Sequence, residues 1–229
     1  MKKPVSQRRG FTMVELLAVI AILGLLAGVL APSISGAFQK ANRNTANTNL
    51  GQIIKAVNAY GDIISEDTAV DSKGSKNVTS VATYAELLAQ KGLLESGTVW
   101  YVPQDNKVPQ EIPKTVIRDG TNQLESQKSV AWAVVVNAKN NRKNRETYPL
   151  IWTRGLGVEG SWDAEEGVWG DAGGHIAFWD GHSVWVDNVT DTKNKFVKAD
   201  DNKNTQTSSY IDAIGTSKNG KSPKVFEDK

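Results

Sequence analysis

The sequence predicts an α+β fold in which one long N-terminal helix packs on a small antiparallel β-sheet. Two observations predict the helix: an unbroken apolar stretch from Phe11 to Ile34, and helical spacing of apolar residues from Ala46 to Tyr60. A third observation predicts the sheet, because short β-prone runs separated by turn residues fill the second half of the chain. The length of 229 residues suits one domain with an appendage better than two full domains.

The composition is that of an ordinary folded protein without cysteine, with 39% hydrophobic and 23% charged residues. The lack of cysteine excludes disulfides, thiolate metal ligands and a cysteine nucleophile. The formal net charge is +2, and because the first ten residues carry four basic and no acidic residues, the rest of the chain carries −2. A weakly acidic remainder has no basic field that attracts nucleic acid, so we expect no nucleic-acid partner.

The N-terminus combines a basic leader, residues 1–10, with an apolar segment of membrane-spanning length. The 24 residues from Phe11 to Ile34 contain one ionisable side chain, that of Glu15. As a helix they would span roughly 36 Å, more than the ~30 Å thickness of the apolar core of a bilayer. Basic residues before such a segment hold the N-terminus on the cytoplasmic side. We therefore expect a single-pass segment in the inner membrane with a cytoplasmic N-terminus.

Glu15 discriminates between the interpretations of this segment. A Sec signal peptide, a plain anchor, and a twin-arginine signal suggested by Arg8-Arg9 would all account for basic and apolar residues. None of the three gains from a carboxylate, which costs on the order of 2–3 kcal/mol deep in a membrane. Cleavage between Gly10 and Phe11 would supply a partner, because the new α-amino group would lie one helical turn from Glu15 or pair with it between neighbouring chains.

The segment Gly10-Phe11-Thr12-Met13-Val14-Glu15-Leu16-Leu17 resembles the processing and methylation site of type IV prepilins and type II secretion pseudopilins. The resemblance includes the basic leader, the glycine before the cut, the phenylalanine after it, glutamate as the fifth mature residue and the apolar stretch. It implies that a prepilin peptidase cuts after Gly10 and methylates the amine of Phe11, and that Glu15 guides assembly. Pro32 lies where many members of the family carry a helix-kinking proline.

The helix is predicted to continue beyond the apolar segment and to become amphipathic. From Ala46 onward the apolar residues recur at helical spacing: Ala46, Leu50, Ile53, Ile54, Val57 and Tyr60. We predict one helix from about Phe11 to Tyr60, weakened at Pro32 and Gly36. Residues 11–35 are expected in the membrane or the filament core. Residues 36–60 are expected to pack on a globular head, which makes the whole fold pilin-like.

Residues 61–215 are expected to form this α+β head. The segment 61–80 is polar and loop-like, and Thr83-Tyr84-Ala85-Glu86 fits a capping box at the start of a second helix. Runs at 98–102, 115–117, 129–137, 150–153, 175–179 and 183–186 favour a sheet of about four strands. The run 129–137 is apolar on both faces, which predicts an interior strand. Residues 216–229 are expected to form a polar, mobile tail.

The strongest local pattern in the head is HIAFWDGHSVWV. Asp180-Gly181 between two β-prone runs predicts a hairpin with a two-residue turn, in which Trp179 lies opposite His182. The hairpin resembles the Asp-Gly-His hairpin of large pseudopilin-like families, although Gly170 stands where their motif has histidine. In this register His175 and His182 lie roughly 13 Å apart, too far to share one zinc ion.

Four carboxylates after the hairpin are candidate calcium ligands: Asp187, Asp191, Asp200 and Asp201. Calcium takes six to eight oxygen ligands, and the resemblance implies calcium because major pseudopilins are known for it in their C-terminal loops. The alternative is a solvated loop, since four lysines lie in the same stretch and no EF-hand spacing is present. No other cofactor is expected.

Two tripeptides, Asn77-Val78-Thr79 and Asn188-Val189-Thr190, match the glycosylation sequon, a pattern that chance often produces. No nucleophile elbow, phosphate loop or metal-binding helix pair is present. Glu165-Glu166 is a carboxylate pair in a tryptophan-rich segment, as in glycan-processing enzymes, but adjacent side chains diverge on most backbones. We therefore expect no enzymatic activity.

The sequence thus predicts a subunit that assembles. By resemblance, an assembly machinery extracts subunits from the inner membrane into a homo-oligomeric helical filament, periplasmic or extracellular, whose core buries residues 11–31. The sequence does not decide whether this filament is a surface pilus or a secretion pseudopilus. The lack of cysteine favours the pseudopilus, because many pilins have a disulfide bond in their C-terminal region. The alternative from a different class is an exported soluble binding protein or enzyme with a twin-arginine-like signal.

Overall fold

The computed structural model describes residues 11–60, 64, 78–125, 129–138, 145–190, 195–199, 205–215 and 223–228. The helices in these ranges are α1 (Met13–Tyr60), α2 (Val81–Gln90) and α3 (Tyr210–Ile214), with a 3₁₀ turn at Thr98–Trp100. The strands are β1 (Ile117–Arg118), β2 (Thr121–Asn122), β3 (Trp132–Val136), β4 (Pro149–Thr153), β5 (Val168–Asp171), β6 (Gly174–Phe178), β7 (Ser183–Val186), β8 (Phe196–Val197), β9 (Gln206–Thr207) and β10 (Lys224–Phe226). The predicted α+β class is confirmed.

The chain divides into two compact units, Met1–Arg43 and Asn44–Lys229. The described residues of the first unit belong mainly to α1, and none of their side chains is buried. The second unit, which we call the head, begins inside the predicted amphipathic half of α1. From Ala46 onward one side of α1 is buried: Ala46, Leu50, Ile53, Ile54, Ala56 and Val57. Helical spacing therefore predicted the buried face correctly.

The head is organised around a five-stranded antiparallel sheet with the strand order β10-β3-β4-β6-β7. Strands β3, β4 and β6 are buried along their whole length because both faces of the sheet are covered. On β3, Val134 and Val136 face a core that contains the buried side of α1 and α2. Ala133 and Val135 face a second core with α3 and β8. The interior strand predicted at 129–137 is confirmed as β3.

The loop between β6 and β7 differs from the predicted two-residue turn. It contains three residues, 179–181, because the Phe178 N–H donates to the His182 carbonyl and the Gly181 N–H donates to the Phe178 carbonyl, each over 2.9 Å. Gly181 has a φ of 100°, the left-handed conformation that follows a type I turn in a three-residue hairpin loop. The prediction that Trp179 lies opposite His182 is therefore wrong, since Phe178 takes that place.

This one-residue shift changes which side chains share a face. His175 lies opposite Trp185, and Ile176 lies opposite Val184. The predicted register would have placed Trp185 opposite Ile176 and on the same face of the sheet. The physical reason is that successive side chains of a strand point to opposite faces of the sheet. A slip of one residue in the register therefore moves every side chain of β7 to the other face.

Helix α2 begins earlier than predicted. Ser80 is its N-cap, the Thr83 N–H donates to Ser80 Oγ over 3.2 Å, and the Ser80 N–H donates to Thr83 Oγ1 over 3.0 Å. The capping box therefore joins Ser80 to Thr83, and the predicted box of Thr83 with Glu86 is wrong. Glu86 lies inside the helix, is buried, and accepts a hydrogen bond from Asn122 Nδ2 over 3.2 Å.

The strand predicted at 98–102 is also wrong, because this segment forms a 3₁₀ turn. The Trp100 N–H donates to the Gly97 carbonyl and the Tyr101 N–H donates to the Thr98 carbonyl, each over 3.2 Å. A strand would point Val99 and Trp100 in opposite directions. The turn buries both side chains in the same core.

The expectation of a mobile tail over 216–229 is wrong for residues 224–226. These residues form β10, an edge strand in which Lys224 pairs with Val136 and Phe226 with Val134. The tail is polar in overall composition, but it contains one apolar pair, Val225 and Phe226. Val225 packs against one core and Phe226 against the other, so the two faces of β10 complete both layers of the head.

Two carboxylates extend the attachment of this C-terminal segment. Glu227 Oε1 accepts a hydrogen bond from the Gly155 N–H, and Asp228 Oδ2 accepts one from the Val130 N–H over 3.1 Å. These two N–H groups would otherwise need water or another acceptor. The segment 223–228 is thus bound to the head by strand pairing and by side chains.

A buried ion pair lies beside this attachment. Arg154 Nη2 is 2.7 Å from Asp105 Oδ1, and both side chains are 1% exposed. The same guanidinium donates to the Glu166 carbonyl over 2.9 Å and to the Val130 carbonyl over 3.2 Å. Arg154 therefore ties three separate loops of the head to the end of β4. Sequence reasoning did not identify it.

Candidate functional site

The N-terminal end of α1 is built by a reciprocal cap between Thr12 and Glu15. Glu15 Oε2 accepts hydrogen bonds from the Thr12 N–H over 2.9 Å and from Thr12 Oγ1 over 2.8 Å. The Glu15 N–H donates in return to Thr12 Oγ1 over 3.3 Å. Since α1 begins at Met13, Thr12 is the N-cap and Glu15 the third helical residue, which is the geometry of a capping box.

This cap gives Glu15 a role that sequence reasoning missed, although a threonine followed three residues later by glutamate is a recognised helix-start pattern. The predicted processing site lies at the same end. Phe11 is 83% exposed, and Gly10 lies outside the described residues. The structure thus places the predicted assembly residue Glu15 one turn from the residue that would become the mature N-terminus.

The first unit presents a large apolar surface along residues 11–38 of the chain. Its large apolar side chains are each between 48% and 83% exposed: Phe11, Met13, Val14, Leu16, Leu17, Val19, Ile20, Ile22, Leu23, Leu25, Leu26, Val29, Leu30, Ile34 and Phe38. Fully covering one exposed side chain of this kind contributes roughly 1.5–3 kcal/mol, so covering the exposed parts of the set contributes on the order of 20 kcal/mol. A surface of this size marks a membrane or protein contact.

By length and composition, α1 can cross a membrane, and its most apolar stretch has no buried residue within the chain. Pro32 lies inside α1, and the helix continues through it. Because proline has no N–H, the Gly28 carbonyl lacks its usual helical donor there. The kink predicted at Pro32 stays a prediction.

The two histidines of the head do not converge. His175 is buried, with its ring 5.3 Å from Trp169 and 5.0 Å from Trp185. His182 is exposed, stacks on Phe178 at 4.5 Å, and donates its backbone N–H to Asp180 Oδ1 over 3.0 Å. Within the described ranges, no three His, Asp or Glu side chains come close enough to hold a metal ion.

The predicted calcium ligands are only partly covered by the structure. Asp187 accepts a hydrogen bond from Trp185 Nε1, which occupies one of its carboxylate oxygens. The other three candidates, Asp191, Asp200 and Asp201, lie outside the described residues. The calcium site stays a prediction.

The carboxylate pair Glu165-Glu166 does not form a cleft with two facing acids. Glu166 pairs with Lys107, and the backbone N–H groups of both glutamates donate to Asp163 Oδ1, over 2.8 Å and 2.9 Å. These two bonds, from Glu166 and then Glu165, lower the pKa of Asp163 below its ordinary value. The acidic groups here order a turn.

Comparison with known proteins identifies a family motif at the N-terminus. Residues 5–31 match the prokaryotic N-terminal methylation motif. The chain is 30% identical over 109 residues to the type IV wide pilus major component PilA4 of Thermus thermophilus, which covers 43% of this chain and 83% of that protein.

Further relatives are the type II secretion system core protein G of two other bacteria. The Pectobacterium carotovorum protein is 37% identical over 54 residues, which is 24% of this chain and 35% of that protein. The Vibrio cholerae protein is 25% identical over 103 residues, which is 45% of this chain and 68% of that protein. No solved structure matches the chain at a significant level.

Proposed function

This chain belongs to the family of type IV pilins and type II secretion pseudopilins, and we propose that it is cut after Gly10, methylated on Phe11 and polymerised into a helical filament. The observation that carries the proposal is the exposed apolar part of α1, where fifteen large apolar side chains are about half or more exposed in the part of the chain that the structure describes. Before assembly the inner membrane would cover this surface. After assembly the same residues of other copies would do so.

Processing at Gly10 is supported by the match of residues 5–31 to the methylation motif. A prepilin peptidase would release Phe11 as a new N-terminus, and the basic leader would stay on the cytoplasmic side. N-methylation keeps an amine protonated at neutral pH, so it would leave a cation at Phe11.

The cap at Thr12 refines the proposed role of Glu15. Both hydrogen bonds that the side chain accepts from Thr12 end on Oε2. The carboxylate can therefore keep its cap while its other oxygen meets an ammonium group, which needs acceptors around it. We propose that Glu15 of an assembled subunit pairs with the Phe11 ammonium of a neighbouring subunit. Such pairing would avoid two unpaired charges in an apolar core.

The head would form the outer surface of the filament, in the periplasm or outside the cell. We propose that its function is structural. The carboxylate pair Glu165-Glu166 lies in a turn that Asp163 orders. A twin-arginine substrate would have its apolar segment removed, whereas a relationship to a pilus component over 109 residues favours a retained segment.

Mass spectrometry of the mature N-terminus, on protein purified from the cells that produce it, tests this proposal. The expected first residue is N-methylated Phe11. A mature chain that starts beyond residue 31 would refute the filament function, because it would lack the surface that subunits bury. Electron microscopy of sheared surface material and of periplasmic extracts then distinguishes a pilus from a pseudopilus.

A further inference from the structure

We propose that Asn188 is a site of N-linked glycosylation. The tripeptide Asn188-Val189-Thr190 follows β7 on the surface of the head. Asn188 and Thr190 are exposed, whereas Val189 between them is fully buried. The proposal rests on the proposed function in one respect only, which is that the head crosses the membrane and meets enzymes of the extracytoplasmic side.

The tripeptide is held in a defined position by its middle residue. The Val189 N–H donates to the Gly160 carbonyl over 2.9 Å. Gly160 has a φ of 87°, and a β-carbon added to it would lie 3.0 Å from Val189 Cβ and 2.6 Å from the Ser208 carbonyl oxygen. Val189 therefore packs directly on bare backbone. This anchor leaves the side chains on either side of it turned to solvent.

The geometry of Asn188 suits attack by its amide nitrogen. Its Oδ1 accepts hydrogen bonds from the Thr190 N–H over 2.8 Å and from Thr190 Oγ1 over 2.7 Å. Loss of a proton from Nδ2 places negative charge on Oδ1, and two donors already aimed at that oxygen stabilise the charge as it develops. A hydroxyl two residues after asparagine is therefore the group that this chemistry needs.

The reaction is a glycosyl transfer from a sugar activated at its anomeric carbon by a phosphate ester. Asn188 Nδ2 forms a bond to the anomeric carbon, and the bond from that carbon to the phosphate oxygen breaks. The phosphate leaves with the bonding electrons, and one amide proton passes to a base of the transferase. The donor is either a lipid-linked or a nucleotide-linked sugar.

The second sequon of the chain, Asn77-Val78-Thr79, serves as a comparison for Asn188-Val189-Thr190 within the same protein. Asn77 itself lies outside the described residues. The Thr79 N–H, which would close the same turn on Asn77, instead donates to Thr83 Oγ1 over 2.9 Å at the start of α2. The two tripeptides have the same sequence, so sequence alone would treat them alike. We therefore predict modification at Asn188 and, because the Thr79 N–H is already engaged at the start of α2, none at Asn77.

The position of Asn188 also indicates what a glycan would do. β7 is an edge strand of the five-stranded sheet, and Asn188 lies two residues beyond its last residue, Val186. Edge strands present unpaired backbone groups that can pair with another chain. A hydrated glycan beside β7 would hinder such pairing between heads.

The test is peptide mass spectrometry of the protein purified from its own cells, with both sequon peptides measured. We expect a hexose- or hexosamine-containing addition on the Asn188 peptide and an unmodified Asn77 peptide. One fixed oligosaccharide mass indicates a lipid-linked donor, whereas a ladder of single-sugar increments indicates nucleotide sugars. An unmodified Asn188 peptide overturns the proposal. The Phe11 peptide in the same digest reports separately on the proposed function.

Four variants define the chemistry. Asn188→Gln and Thr190→Ala should both lose the addition, although Thr190→Ala keeps the asparagine. Thr190→Ser and Asn77→Gln should keep it. Circular dichroism of each variant checks that the head is folded. Retention of the addition in a folded Thr190→Ala variant, or its loss in Asn77→Gln, would show that the Thr190 hydroxyl and the Asn188 geometry do not direct the modification.

Discussion

Thr12 and Glu15 hold each other at the start of α1 through three hydrogen bonds, and both bonds accepted by the carboxylate end on the single oxygen Oε2. This relationship separates two contributions of Glu15 that a simple deletion would mix. One is the helix cap, which needs only an acceptor at this position. The other is the negative charge, which a neighbouring Phe11 ammonium would need.

Glu15→Gln tests the charge alone. Glutamine also serves in a capping box, so the helix start should be retained, while the partner for an ammonium is lost. We expect normal processing after Gly10 and a filament yield below about a tenth of wild type, because an unpaired buried charge costs roughly 3–5 kcal/mol. Glu15→Ala should be processed and assemble at least as poorly. Filament yield is measured by shearing and immunoblotting, and a wild-type yield from Glu15→Gln would contradict the pairing role.

Thr12→Val tests the cap alone. It removes the hydroxyl but keeps the carboxylate, and loss of an N-cap side chain costs about 0.5–2 kcal/mol. We expect a smaller loss of filament than with Glu15→Gln, and near-complete recovery in Thr12→Ser, which restores the oxygen. The same shearing assay compares the three variants. An effect of Thr12→Val larger than that of Glu15→Gln would make the cap the dominant role of Glu15.

The buried face of α1 was the most predictable part of this fold. Apolar spacing from Ala46 identified the buried face of α1, because a helical face repeats over many residues and tolerates local errors. The β6–β7 hairpin was predictable only in outline. Its loop includes Trp179 in addition to the predicted Asp180 and Gly181, and in a strand a shift of a single residue decides which face a side chain occupies.

The buried pair of Arg154 and Asp105 should dominate the electrostatic contribution to the stability of the head. Arg154→Ala would leave a carboxylate that is 1% exposed without its partner, and breaking a buried pair costs roughly 3–5 kcal/mol. We expect this loss in the free energy of unfolding, measured by urea denaturation of the fragment 44–229, which contains both cores. A loss below about 1 kcal/mol would mean that the pair is solvated.

Lys107→Ala is the matched control for that experiment. Lys107 pairs with Glu166 near the same loop, but the two side chains are 31% and 40% exposed. Pairs with this exposure contribute about 0–1 kcal/mol. The contrast between the two variants therefore separates the effect of burial from that of an ion pair as such.

Sequence reasoning missed Arg154 for a physical reason. A lone arginine at the end of a strand looks like an exposed residue, and its partners are distant in sequence. Asp105 lies 49 residues away. The calcium candidates show the converse, because the sequence indicates Asp187 only as one of four carboxylates in an asparagine- and lysine-rich loop, and the structure gives its carboxylate a tryptophan donor. Composition indicates which groups are present, whereas long-range packing decides which of them meet.

Removal of the C-terminal segment should destabilise the head. Truncation after residue 222 deletes β10, opens the edge of β3, and leaves the N–H groups of Gly155 and Val130 without their carboxylate acceptors. An exposed edge strand promotes association. We expect a loss of several kcal/mol in urea unfolding, to which the partly buried side chains of Val225 and Phe226 contribute roughly 1–3 kcal/mol, together with aggregation. Asp228→Asn keeps the strand and should lose far less. A truncated head with wild-type stability would restore the prediction of a mobile tail.

Two buried tyrosines provide a test of stability against pH. Burial raises the pKa of Tyr84 far above its ordinary value, and no partner for its hydroxyl lies within reach among the described residues. The folded state therefore keeps the neutral phenol, while the unfolded chain ionises above about pH 10. The contribution of Tyr84 is fully present below that pH and is lost as pH rises toward the folded pKa, by up to ~1.4 kcal/mol per pH unit.

Tyr84→Phe should consequently be neutral or stabilising at pH 7, because it removes a buried hydroxyl that has no acceptor, and it should flatten the alkaline loss of stability. Tyr148→Phe is the matched comparison, since Tyr148 Oη donates to the Ile214 carbonyl over 3.1 Å. That variant should lose about 1 kcal/mol at pH 7 because the buried carbonyl loses its donor. Urea unfolding of both variants between neutral and alkaline pH is the measurement. Equal losses at pH 7 would show that the Tyr84 hydroxyl has a partner of comparable strength.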